Sequence, residues 1–260
     1  MKTQQQFDQV EHFRNDRMRT GFFLDFDGTL SRVVPEPAAA KPLPGVPELL
    51  EALTSSYRLV AIVSGRRATD LLERIGVRGP RLVGLHGAEE IVRGELRQPA
   101  EAAAWRAAAR RLAEEASELI VDEGLVGCEV EPKDLAISIH YRKAVPPEPP
   151  EELLEWARSK ASLFGFHFGI GRMVLEFRPA PISKAGTLER LMREFRLANA
   201  VLAGDDTADV EAMARAKEVV PGHLLRIGMR SSEEPPDLLE HSDVQAESGE
   251  QLVKLLQTFL

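Results

Sequence analysis

Short apolar runs that break off abruptly into polar residues recur along this 260-residue chain. Phe22 to Leu24 is followed at once by Asp25, Phe26, Asp27, Gly28 and Thr29. Arg58 to Val63 ends in Ser64-Gly65-Arg66-Arg67, Arg81 to Leu85 in His86-Gly87-Ala88-Glu89, and Ala200 to Ala203 in Gly204-Asp205-Asp206. Each run has the length and composition of a buried strand. Helical spacing fills the intervals. Pro47 to Ser56 puts Leu49, Leu50 and Leu53 on one face, and Ala68 to Ile75 follows the second strand. Ser183 fits an N-cap for Lys184 to Phe195, a further helix reaches Ala216, and Gly249 to Leu260 closes the chain. Strand, helix, strand, helix, strand predicts an α/β fold with a doubly wound, Rossmann-like parallel sheet. Residues 5 to 17 are expected to form a short helix with Phe7, Val10 and Phe13 inward, Pro35 to Pro47 and Ser231 to Pro236 to be loops, and Glu218 to Val220 and Leu224 to Ile227 to be strands.

The pattern changes between residues 98 and 179. Glu101 to Ile120 has helical spacing at Trp105, Ala109, Leu112, Ala116 and Leu119. Two alternating strands follow, Gly127 to Glu131 and Leu135 to Arg142, joined by Pro132-Lys133-Asp134. A proline linker then leads to a helix, Glu151 to Phe164, and to strands Phe166 to Ile170 and Met173 to Arg178, with Gly171-Arg172 as the hairpin. This αββαββ block predicts a second α/β domain, 98–179, inserted into a core made of 1–97 and 180–260. One face of Leu135 to Arg142 carries Leu135, Ile137, Ile139 and Tyr141, and the other Ala136, Ser138, His140 and Arg142. Met173, Leu175 and Phe177 oppose Val174, Glu176 and Arg178 in the same way. Each strand buries one face on the helices and leaves a polar face open.

Composition narrows the function. The net charge of −8 and a pI near 5.4 argue against nucleic acid as the main partner. The single cysteine, Cys128, cannot form an intramolecular disulfide and is expected in the core. The N-terminus has no signal-peptide core, and no stretch reaches the length of a membrane span. A monomeric, cytoplasmic protein acting on a small molecule is expected, with neither nucleic acid nor membrane as partner.

The strand ends carry the candidate chemistry. Side chains alternate along a strand, so Asp25 and Asp27 are expected to point the same way, at the sheet edge where ligands bind in open α/β folds. With Asp205 and Asp206 they make a hard, oxygen-rich site suited to Mg²⁺. Ser64 offers a hydroxyl, Lys184 a positive charge and the turn after Asp25 backbone N–H groups, as a phosphoryl group requires, and Gly65 beside Ser64 is a further phosphate-binding candidate. Asp25 is the candidate nucleophile and Asp27 the candidate proton donor and acceptor. The six histidines lack metal-binding spacing, so zinc is not expected.

DFDGTL at 25–30, the serine of IVSGR at 62–66, Lys184, and a GDD beginning at Gly204 resemble the four motifs of the haloacid dehalogenase (HAD) superfamily of phosphatases. The insertion resembles that superfamily's larger α/β cap. LHGAE at 85–89, EPKDLAISIHYR at 131–142 and MVLEFRP at 173–179 further resemble trehalose-6-phosphate phosphatases. That likeness implies Mg²⁺-dependent hydrolysis of a sugar phosphate, trehalose 6-phosphate, through an aspartyl phosphate. It implies metal ligands at Asp25, Asp27, Asp205 and Asp206, and substrate contacts at Arg66, His86, Glu89, Lys133, His140, Arg142 and Glu176. Such phosphatases usually read GDDxTDE at the fourth motif, where this chain has Ala208 and Val210. The alternatives are a phosphatase for another glycosyl phosphate such as a glucosylglycerol phosphate, a phosphomutase, and a non-catalytic sugar-phosphate sensor.

Overall fold

The computed structural model describes residues 10–34, 36–146, 148–171, 173–231 and 233–260. They form two units, one comprising the chain up to Arg97 with Ser183–Leu260, the other Gln98–Ile182. In chain order the first unit opens with helix α1 (10–15), strand β1 (Thr20–Leu24), α2 (Val46–Ser56), β2 (Leu59–Val63), α3 (Ala68–Ile75), β3 (Arg81–Gly84), β4 (Glu89–Val92) and β5 (Glu95–Arg97). The second unit carries α4 (Ala102–Asp122), β6 (Glu129–Pro132), β7 (Ile137–His140), α5 (Glu151–Leu163), β8 (Phe166–Gly171) and β9 (Val174–Pro179). The first unit resumes with α6 (Lys184–Glu194), β10 (Asn199–Gly204), α7 (Thr207–Val219), β11 (Leu224–Met229), α8 (Leu238–His241), β12 (Val244–Ala246) and α9 (Gly249–Gln257).

The first unit's sheet has the order β12-β11-β10-β1-β2-β3-β4-β5. It is parallel from β12 to β3 and antiparallel through β4 and β5. Helices cover both faces, so β1, β2 and β10 are buried at every residue and read as unbroken apolar runs. Phe22, Leu24, Val60, Ile62 and Val201 pack on residues of α2, α3 and α9. Phe23, Ala61, Val63 and Leu202 pack on residues of α6 and α7. Phe22 shows how β1 is anchored: its ring meets Tyr57 at 4.8 Å and Phe259 at 5.3 Å, both edge-on. Burying a side chain of this size contributes about 1.5–3 kcal/mol. β1 is thus central, with β10 and β2 as neighbours, and its carboxyl end lies mid-sheet.

Several elements differ from expectation. The β4–β5 hairpin is absent from the sequence reading because Glu89–Arg97 has only Ile91, Val92 and Leu96 as apolar residues. Its turn uses Arg93 and Gly94 at positive φ, 54° and 86°, as a two-residue hairpin turn demands. The strand expected at 218–220 is the end of α7, and the short edge strand β12 was not foreseen. Val10 and Phe13 are buried on α1, whereas Phe7 lies outside the described residues. No helix among the described residues is long and apolar enough to cross a membrane.

The second unit's sheet is antiparallel in the order β6-β7-β9-β8. Ile137, Ile139, Leu175 and Phe177 are buried with Ala109, Leu112 and Ala116 of α4 and Leu153, Ala157 and Ala161 of α5. Cys128 belongs to this core, and Trp156 meets Phe177 edge-on at 5.7 Å. Pairing fixes the other face: Glu131, Ser138, Glu176 and Gly169 form one row, and Glu129, His140 and Val174 the next. The expected hairpin residue Arg172 lies outside the described residues.

Candidate active site

β1 delivers Asp25 to the sheet edge, where its N–H donates to the Ala203 carbonyl at 2.9 Å. The chain then turns tightly. The N–H groups of Thr29, Leu30 and Ser31 all donate to the Phe26 carbonyl, at 3.3, 2.9 and 2.8 Å, and Gly28 takes φ 78°. Strand alternation therefore ends before Asp27, and the two aspartates part company. Asp25 is 4% exposed and faces Lys184 at 2.9 Å. Asp27 accepts a two-pronged fork from Arg66, 2.6 Å from Nε and 2.8 Å from Nη2. Arg66 Nη1 also donates to Asp70 and Nη2 to the Pro37 carbonyl, each at 2.9 Å, while the guanidinium lies over the Phe26 ring. Burial opposes the Arg66 charge, but Asp27 and Asp70 outweigh it and push the group further up. The residue expected to meet substrate thus has four of its five N–H groups engaged by the protein.

Lys184 is placed by a helix start. The Ser183 hydroxyl accepts the Gly186 N–H at 3.0 Å, which makes Lys184 the first residue of α6. Its ammonium, almost fully buried, donates to Asp25 at 2.9 Å, Asp209 at 2.8 Å and Asp206 at 3.3 Å. A reciprocal cap sets the last two. Asp206 Oδ1 accepts the Asp209 N–H at 2.7 Å, and Asp209 Oδ2 accepts the N–H groups of Asp206 and Asp205 at 3.3 and 3.1 Å.

One oxygen from each of Asp25, Asp205 and Asp209 lies within 4.8 Å of the others, and all three residues are buried. Asp25 and Asp205 of the expected metal set lie in this cluster together with Asp209, while Asp27 faces Arg66 and Asp206 caps α7. Asp209 stood in the sequence only as a turn residue. The signal that would have found it is the D-x-x-D spacing of a capping box, which turns the third helical residue back toward the helix start.

Four aspartates against one lysine leave a formal excess of three negative charges, counting Asp25, Asp205, Asp206 and Asp209 with Lys184. Burial pushes the Asp25 carboxyl well above its ordinary range; Lys184 opposes this, and Asp206, Asp205 and Asp27 add to it. Asp209 is raised in the same way, by burial and then by Asp206. Burial works against the Lys184 charge, yet Asp206, Asp209 and Asp25 hold it well above the usual lysine range. An oxygen-only donor set with this charge excess fits a hard divalent cation.

Ser64 sits at the end of β2, buried, with its N–H on the Val83 carbonyl at 3.0 Å and its hydroxyl accepting the Arg66 N–H at 3.2 Å. Gly65, half-buried, follows in that turn. Glu89 is fully buried, with one oxygen on Arg67 at 2.8 Å and the other on the Ala68 N–H at 3.0 Å, at the start of α3. His86 is buried in a left-handed conformation, φ 58°. Both were expected at the substrate. Glu89 has both carboxylate oxygens hydrogen-bonded within the protein.

In the second unit, Glu131 accepts from His140 Nε2 at 2.8 Å and lies 3.4 Å from Lys133 Nζ. Burial pushes the Glu131 carboxyl up, but the His140 hydrogen bond and the Lys133 charge outweigh it and hold it below the usual glutamate range. Glu131 was not among the expected contact residues, although its alternation with Val130 placed it on the polar face. Glu176 is half-buried opposite Ser138, and Arg142 lies just past the end of β7.

A parallel sheet with strand-end aspartates set against a helix-start lysine defines the core of the haloacid dehalogenase superfamily. A phosphatase of that superfamily from Bacteroides thetaiotaomicron shares the fold, with a TM-score of 0.63 at 19% identity over 95% of this chain and 97% of that one. The chain belongs to the trehalose-phosphatase family, whose profile matches residues 23–234. The trehalose-phosphate phosphatase of Mycobacterium avium is 34% identical over 198 residues, which is 73% of this chain and 49% of that protein. The C-terminal domain of the C. albicans trehalose-6-phosphate phosphatase has the same fold, with a TM-score of 0.74 at 19% identity over 97% of this chain and 96% of that one. The matched region spans between 12% and 54% of the length of the curated relatives.

Proposed function

We propose that this protein is a Mg²⁺-dependent phosphatase that hydrolyses trehalose 6-phosphate to trehalose and phosphate. The observation that carries the reaction is the buried Asp25–Lys184–Asp205–Asp209 constellation at the carboxyl ends of β1 and β10. Family membership supports the choice of sugar. The departure at Val210 does not weigh against it, because Val210 is buried in the apolar layer with Ala212 and Met213.

An Asp25 carboxylate oxygen attacks phosphorus, and the bond from phosphorus to the sugar oxygen breaks. Asp27 gives the departing sugar oxygen its proton. It then takes a proton from water as that water attacks the phosphoryl group and frees Asp25. Lys184 and the Ser64 hydroxyl hold phosphoryl oxygens, and Lys184 offsets their charge. Asp25, Asp205 and Asp209 would hold Mg²⁺, which when bound supplies the positive charge that this group of carboxylates lacks. Phosphate release from a panel of phosphorylated sugars, with Mg²⁺ and after chelation, tests the reading. Activity that survives chelation, or a preference for another sugar, would overturn the corresponding half.

The polar face of the four-stranded sheet, where Ser138 is buried and Glu131, His140 and Glu176 are half-buried, supports a role in reading the sugar. A phosphate site alone treats all sugar phosphates alike, so selectivity needs groups that lose their partners when the wrong sugar binds. Lys133, His140 and Glu176, with Glu131 between the first two, offer donors and acceptors for hydroxyls, and Arg142 follows β7. Glu176→Ala is expected to lower kcat/KM for trehalose 6-phosphate by about 1.5–3 kcal/mol, the worth of a hydrogen bond to a charged group. p-Nitrophenyl phosphate, which has no sugar, should be cleaved as before. Equal losses on both esters would assign Glu176 to folding.

Gly204 tests the aspartate cluster from another side. A Cβ at this position would lie 2.1 Å from Asp209 Cγ. Gly204→Ala must therefore displace Asp209, and a shift of that size is expected to cost about 10²-fold in turnover. Unchanged turnover by the folded variant would remove Asp209 from the machinery.

A further inference from the structure

We propose that the turn Leu85–Glu89 is a strut that sets the spacing between the two segments gripping the phosphoryl group, with Thr187 and Glu89 as its positioning residues. The inference rests on the placement of Ser64 and Lys184 at the phosphoryl group. Ser64 directly follows β2 and Lys184 begins α6, so the two belong to different parts of the chain. The turn bonds both segments. On the Ser64 side, the His86 N–H donates to the Ser64 carbonyl at 2.9 Å and the Leu85 N–H to the Arg66 carbonyl at 2.8 Å. Glu89 adds its bonds to Arg67 and Ala68, just beyond. On the Lys184 side, the Thr187 hydroxyl donates to the His86 carbonyl at 2.9 Å. Thr187 is buried and sits one helical turn after Lys184. The backbone of His86 thus reaches Ser64 through its N–H and α6 through its carbonyl.

The conformation of the turn points the same way. Leu85 and His86 both take left-handed φ, 50° and 58°, which non-glycine residues adopt at a cost. Such residues persist where their surroundings over-determine them, and here both sides do. Gly84 permits the close seating, because a Cβ there would lie 2.2 Å from the Ala68 nitrogen. A cradle for a phosphoryl group works when its donors keep a fixed spacing, and a rigid turn bonded to both segments supplies one.

Thr187→Val removes the hydroxyl and keeps the branched shape, whereas Thr187→Ser keeps the hydroxyl. Competitive inhibition by inorganic phosphate reads the cradle without sugar. Thr187→Val is expected to raise the phosphate inhibition constant by about 3–10-fold, the effect of one buried hydrogen bond. KM should rise by the same factor for trehalose 6-phosphate and for p-nitrophenyl phosphate. Thr187→Ser should restore phosphate affinity to within about twofold of wild type. Should Thr187→Val fail to fold, Glu89→Gln carries the same comparison, since it keeps size and one acceptor and loses the charge. Wild-type phosphate affinity in a folded Thr187→Val, equal weakening by Val and Ser, or a loss confined to the sugar ester would each overturn the strut. A wild-type protein that cleaves neither ester overturns the functional reading and the strut together, whereas an active wild type with an unaffected variant overturns the strut alone.

Discussion

Asp25→Asn is expected to abolish phosphate release from trehalose 6-phosphate and p-nitrophenyl phosphate alike. An amide is too weak a nucleophile to attack phosphorus, and losing the nucleophile of a covalent mechanism costs on the order of 10⁵-fold or more. The fold should not suffer. Asp25 is buried among three other aspartates, and its charge is opposed by that burial. Removing it relieves repulsion while a hydrogen-bonding group of the same size remains, so the melting temperature should hold or rise. Asp27→Asn makes the contrast, with turnover slowed by about 10²–10⁴-fold through loss of proton transfer. Near-normal turnover by Asp25→Asn would sink the covalent route.

Lys184→Met carries the second large effect, on stability as well as rate. It removes the ammonium that contacts Asp25, Asp206 and Asp209 and leaves buried carboxylates without it. Taking one partner from a buried ion cluster costs about 3–5 kcal/mol. Loss of its charge at the phosphoryl group is expected to lower kcat/KM by about 10²–10³-fold. Millimolar Mg²⁺ should return part of the lost stability, because a cation among the same carboxylates replaces some of the missing charge. Thermal unfolding with and without Mg²⁺ checks this. A variant as stable as wild type, or one indifferent to Mg²⁺, would show that the cluster does not depend on its lysine.

Much of this architecture was legible because burial on both sheet faces forces apolar runs, and β1, β2 and β10 are such runs. The inserted sheet was legible for the opposite reason. One buried face makes Ile137, Ile139, Leu175 and Phe177 alternate with polar residues. Lys184 was found through the cap at Ser183, a local signal. What escaped depended on tertiary geometry. Asp27 leaves the direction of Asp25 because three N–H groups fold onto the Phe26 carbonyl, and no side-chain pattern records that. Glu89 reads as a polar strand-end residue but closes the start of α3. β12 has three residues, too few for alternation to emerge.

The position of β1 also shapes how the chain is made. Its register partner on one side, β10, begins at Asn199, so Thr20 waits 179 residues (199 − 20) for its match. Closing so long a loop is slow. The inserted unit, by contrast, is one continuous stretch, Gln98–Ile182, whose strands pair with near neighbours. As the chain leaves the ribosome amino end first, that unit can complete its sheet while β1 still has an open edge beside β2. The edge of β1, the strand that leads to Asp25, is therefore left unpaired until β10 emerges and covers it.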